Sequence, residues 1–81
     1  MSAGTLHIAS LIVRCRPQAL AGAMAACATL AGVEVHQHDP LGRFIASLEL
    51  PDESALLSAI GAIEAIDGVL GSSLVFHQME A

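Results

Sequence analysis

Two short stretches, "AGV" at residues 31–33 and "DGV" at 67–69, constrain what this chain can fold into more than any other feature. Each closes an apolar run with helical spacing and opens a run with strand character. A glycine just past a helix takes the left-handed conformation that ends it, and β-branched residues then favour a strand. The chain therefore reads as two similar halves in which a helix feeds a strand.

The segments around these junctions complete the pattern. "LHIASLIVR", residues 6–14, is β-branched and lies shortly before Pro17, so it reads as a buried strand. Pro17 suits the first turn of a helix, and Leu20, Met24, Cys27 and Leu30 or Ala31 recur at helical spacing up to Gly32. "VEVHQH" and "RFIASLEL" alternate with period two around the turn "DPLG", which makes residues 33–50 a β-hairpin. Asp52 is a good N-cap and Glu53 favours the positive end of the next helix, whose stripe runs through Leu56, Ile60, Ile63 and Ile66 or Asp67. "VLGSSLVFHQ" is the last strand.

The order βαββαβ defines an α+β, ferredoxin-like fold: a four-stranded antiparallel sheet with two helices on one face and the other face open. One domain is expected over residues 1–81, with its ordered core at about 6–78. Side chains alternate across a strand, so Leu11, Val13, Val33, Val35, Phe44, Leu48, Leu74 and Phe76 are assigned to the covered face. Ile8, Ser10, Ile12, Ile45, Ser47, Ser73, Val75 and His77 fall on the open face, bordered by Glu34, His36, His38 and Glu49. Aliphatics mixed with hydroxyls suit a shallow apolar partner such as a peptide; the competing reading is that a tail or a second subunit covers them.

Composition narrows the partners. At 81 residues the domain buries about 60% of its unfolded surface, which leaves little room for an internal active site. Three basic residues stand against eight acidic ones, none is lysine, and aromatics make up 2% of the chain. Phosphate contacts and base stacking both lack their residues, so nucleic acid is disfavoured and a basic partner is favoured. Residues 17–33 carry no charge but are rich in alanine and glycine and fall short of a membrane span, so a helix packed on the sheet is the better reading and no stable membrane insertion is expected. The N-terminus lacks the basic start and apolar run of a secretory signal, and two cysteines outside any disulfide ladder point to a reducing, cytoplasmic setting.

Chemical motifs are sparse. His36 and His38 would project from one face of a strand with Asp39 beside them, but a metal site needs at least three supported ligands. Polar residues near a turn are the favoured reading. "RCRPQ" holds Cys15 where soft-metal chaperones of this fold keep a cysteine pair, but Gln18 breaks the pair. Arg14 and Arg16 there could hold an anion as in acylphosphatases, but the chain has no asparagine to position water. No catalytic set stands out, so the chain is read as no enzyme and no cofactor is expected.

"ASLIVR", "GVEV", "GRFIASLELPDESALLSAI" and "DGVLGSSLVFHQ" together resemble the NapD family, the assembly chaperones of periplasmic nitrate reductase. The resemblance covers nearly all of residues 6–79, and its most specific pieces are Ser10-Leu11-Ile12-Val13, and Gly68-Val69-Leu70 followed by the ending Ser73-Leu74-Val75-Phe76-His77-Gln78. It implies a cytoplasmic chaperone that binds the twin-arginine signal peptide of the nitrate reductase catalytic subunit and restrains export until the molybdenum cofactor is in place. The expected peptide-binding residues are Ile8, Ser10, Ile12, Glu34, His36, Ile45, Ser47, Glu49, Ser73, Val75 and His77, with Glu34, Asp39 and Glu49 as candidates for the arginines. The alternatives are a small ligand- or metal-binding module using Cys15 or the His36 and His38 pair, and a dimerisation module; a monomer is expected, with weak dimerisation as the variant.

Overall fold

A computed structural model of the chain describes residues 6–80; the expected domain limits at residues 1 and 81 lie outside them. The elements follow in the expected order: β1 (Leu6–Cys15), a 3₁₀ turn (Pro17–Ala19), α1 (Leu20–Ala28), β2 (Val33–Asp39), β3 (Arg43–Leu50), α2 (Glu53–Glu64) and β4 (Val69–Glu80). They form one antiparallel sheet in the order β2-β3-β1-β4, with α1 against β2 and β3, and α2 against β3 and β4. This is the ferredoxin-like arrangement.

Local chemistry explains where the helices begin and end. The Asp52 carboxylate accepts the Ala55 N–H at 2.7 Å, capping α2. Gly32 and Gly68 sit where each helix gives way to the next strand, with φ of 77° and 91°. A Cβ at Gly32 would meet the Glu49 carbonyl oxygen, and one at Gly68 would meet the Ala19 side chain, so close approach and backbone sign both require glycine there. The uncharged run after Pro17 yields a helix of only nine residues, and among the described residues no helix is long and apolar enough to cross a membrane.

The core lies on one side of the sheet. Ala9, Leu11, Val13 and Cys15 of β1, Phe44, Ala46, Leu48 and Leu50 of β3, and Val33 of β2 meet Ala23 and Cys27 of α1 and Leu56 and Ile63 of α2, all buried. Ala23 was not expected there. A small residue at that point lets α1 approach the sheet closely, and Leu20, Met24 and Leu30 pack around it half-buried.

Three irregularities change which way side chains point. β4 runs twelve residues against the ten of β1, with register shifts that leave Val75 and Leu70 without a partner on β1. In β2 the shift lies between Val35 and His38, where His36 and Gln37 oppose Ile45 alone. An extra residue inverts the alternation of everything beyond it.

Candidate functional site

The open face is built from the residues left over by the core. β1 contributes Leu6, Ile8, Ser10, Ile12 and Arg14; β3 contributes Arg43, Ile45, Ser47 and Glu49, paired in register as Ile8 with Glu49, Ser10 with Ser47, Ile12 with Ile45 and Arg14 with Arg43. Ile8, Ser10, Ile12, Ile45 and Ser47 are half-buried by their neighbours alone. At the β2 edge Glu34 pairs with Ser47, and the His36 ring shares a hydrogen bond of 2.7 Å with the Ser47 hydroxyl while lying 3.8 Å from the Glu34 carboxylate. All of these residues share the face on which the alternation of the sequence places them.

The β4 side differs from expectation. Ser73 pairs with Ile12 on the open face as expected, and its hydroxyl accepts a hydrogen bond of 2.9 Å from Arg14. Beyond the bulge at Val75 the phase flips. Phe76, expected in the core, pairs with Ser10 on the open face and is 47% exposed. His77, expected on the open face, pairs with Ala9 on the covered side. There its Nε2 lies 3.0 Å from Nδ1 of the buried His7, and the two rings stack at 5.3 Å. Val75 itself is the unpaired bulge residue and is exposed, and Leu74 stays on the covered side opposite Leu11 but protrudes beyond the helices, 51% exposed.

The bulge in β2 likewise separates the two histidines of "HQH". His36 stays on the open face, whereas His38 pairs with Phe44 on the covered side, so the expected shared face is lost. Asp39 follows onto the open face opposite Arg43, but its carboxylate is already engaged: Oδ1 accepts the Leu41 N–H at 2.9 Å and Oδ2 the Arg43 guanidinium at 2.6 Å. These bonds, the backbone one first, hold the Asp39 carboxyl below the usual carboxylate range. It is therefore a turn and strand-pairing residue rather than a carboxylate waiting for a partner's arginine.

The remaining chemical candidates also resolve structurally. Cys15 and Cys27 are free and buried, and burial pushes both thiols up, away from the reactive thiolate form. Among the described residues no three His, Cys, Asp or Glu side chains gather where they could hold a metal ion.

The open surface carries two shallow hollows. One, of about 340 Å³, is polar and lined by Gly32, Val33, Glu34, Ser47 and Glu49. The other, of about 240 Å³, lies near the hairpin end between Ile12, Ile45, Phe44, Arg43 and residues 37–39 of β2. Neither encloses a small substrate. The surface between them is long, mildly apolar and edged with charge, which is the form of a site for an extended or helical segment of another chain.

Phe76 is the residue that sequence reasoning missed. A signal for it exists: Leu74, Val75 and Phe76 are three consecutive apolar residues, a run that strict alternation does not produce and a bulge does.

Comparison with known proteins places this arrangement. Residues 6–81 match the family model described as NapD protein. The Haemophilus influenzae protein named Chaperone NapD is 31% identical over 75 residues, covering 91% of this chain and 81% of its own length. The Escherichia coli strain K12 protein of the same name is also 31% identical, covering 91% and 86%. The solution structure of the E. coli Tat proofreading chaperone protein NapD superposes with a TM-score of 0.83 at 30% identity, covering 93% of this chain and 80% of the other. With the same fold, an open sheet face and a family match over every described residue, the chain belongs to the NapD family, whose named members are chaperones and not enzymes.

Proposed function

We propose that this protein is a cytoplasmic chaperone that binds the twin-arginine signal peptide of the periplasmic nitrate reductase catalytic subunit and restrains its export until the cofactor has been inserted. The observation that carries the reading is the open sheet face, where Ile8, Ile12, Ile45 and the half-exposed Phe76 offer apolar surface on a chain of net charge −5. A signal peptide has a basic segment followed by an apolar one, and such a surface complements both. The Tat proofreading role named for the E. coli relative supports the choice of client.

In this reading Ile8, Ile12, Ile45 and Phe76 hold the apolar segment, while Ser10, Ser47, Ser73 and His36 supply polar contacts between them. Glu34 and Glu49 take the arginines. Val75 borders the site from the bulge, and His77 acts from beneath by fixing β4 through His7. The protein works as a monomer, because the face that would pair two copies is the one the client occupies.

Calorimetric titration of the protein with the synthetic signal peptide, alongside amide chemical shifts, tests the reading. A saturable heat with shifts confined to the open-face residues of β1, β3 and β4 is the expected result. No heat and no shift would overturn it.

A further inference from the structure

Resting on that reading of the open face, we propose that the face holds its client in one direction only: the arginine-bearing segment lies in the hollow between Glu34 and Glu49, and the apolar segment runs past Phe76 and Ile12 towards Arg14.

The face is electrically polar from corner to corner. At one corner Glu34 and Glu49 line the polar hollow of about 340 Å³ with the Ser47 hydroxyl between them. Both glutamates are exposed, and the Glu49 carboxylate meets no cation or hydrogen-bond donor among the described residues. Among the described residues Glu34 has only the His36 ring, at 3.8 Å. Two carboxylates set around a hydroxyl in a shallow hollow suit a planar guanidinium, which donates to several acceptors at once.

The opposite corner carries the other sign. Arg14 and Arg43 face each other across β1 and β3. Asp39 compensates Arg43, whereas among the described residues the Arg14 guanidinium donates to the Ser73 hydroxyl alone, at 2.9 Å, and lies over Gly71. From the row of Ile8 and Glu49 to the row of Arg14 and Arg43 is six strand positions, roughly 20 Å. A helical segment of about 13 residues spans that distance. Between the corners lie Ile8, Ile12, Ile45 and Phe76, with the Ser10 and Ser47 pair among them.

Direction follows from these positions. With its arginines at the glutamate corner, the client pairs opposite charges and leaves its uncharged part over the isoleucines. Reversed, it would bring its arginines against Arg14 and Arg43 and leave two carboxylates facing an apolar segment, so both ends would lose. A helical client adds a smaller term with the same sign, since the negative end of its dipole would lie at Arg14.

The test uses the ¹⁵N-labelled protein and the synthetic signal peptide carrying a nitroxide at one end or the other. A label at the arginine end is expected to broaden the amides of Gly32–Glu34 and Ser47–Glu49, and a label at the apolar end those of Arg14 and Gly71–Ser73. Interchanged patterns, or the same pattern from both labels, would overturn the direction while leaving the open-face site standing. Absence of any shift on adding peptide would instead remove the reading on which the direction rests. In parallel, the Glu34→Gln, Glu49→Gln double variant, whose changes are both on exposed side chains, is expected to bind the peptide about tenfold more weakly. Unchanged affinity in the double variant with a matching thermal melt would also overturn the proposal.

Discussion

The chain has two phenylalanines, and the sheet places one on each face: Phe44 under the helices, 1% exposed, and Phe76 on the open side, 47% exposed. Beside Phe44 on the same face, Val13 and Ala46 are apolar and buried, and only at the β2 edge does the polar His38 pair with it. Around Phe76 the same strands present serines, isoleucines and arginines. The difference teaches that the core takes alternate residues of the same strands and leaves the others to the proposed peptide site, so stability and peptide binding should be separable by single substitutions.

The largest effect expected is at Phe44. Phe44→Ala removes a fully buried ring and should cost about 3–5 kcal/mol, read as a drop in the urea midpoint, with a large share of a small domain's stability lost. Phe76→Ala should do the reverse: a stability loss of about 1 kcal/mol or less, with peptide affinity about tenfold weaker by calorimetry. If Phe76→Ala proved as destabilising as Phe44→Ala, the division between the faces would fail.

Smaller effects sharpen the contrast. Asp52→Ala deletes the cap of α2 and should cost about 1 kcal/mol, yet peptide affinity should stay at the wild-type value, because α2 lies on the other side of the sheet. Asp39 gives the smallest effect and one with a pH signature. Its carboxyl is held low in the folded state by the Leu41 N–H and then by Arg43, so the stability it contributes is present above the unfolded value near about 3.9 and is lost as pH falls through the folded one. The stability difference between wild type and Asp39→Asn should therefore be present at pH 7 and close below about pH 4, as followed by urea melts across that range.

Much of this arrangement was legible in the sequence because two of the four strands alternate without interruption. In β1 and β3 every residue from Leu6 to Cys15 and from Arg43 to Leu50 lies on the face its parity assigns, and the glycine junctions and the Asp52 cap mark the helix ends where they occur. The errors cluster beyond bulges. Phe76 and His77 exchanged faces because Val75 is extra, and His38 left the side of His36 because two β2 residues stand against Ile45. Parity is a strictly local rule, and nothing in "HQH", polar at every position, announces that it changes there. The hydrogen bond between His7 and His77 was illegible for the same reason, since it depends on a ring that parity had sent to the other side.

The bulges also bear on how such a chain survives in a crowded cell. β4 is an edge strand, and Leu70, Leu74, Val75, Phe76 and Met79 are all exposed along it. A flat edge of that composition is a template for stacking into aggregates. With Leu70 and Val75 unpaired, the strand coils more sharply and its outward N–H and C=O groups fall out of step with a straight neighbour. Val75, the extra residue that turns Phe76 to the open face, thus joins Leu70 in denying a second sheet the unbroken ladder it would need to grow.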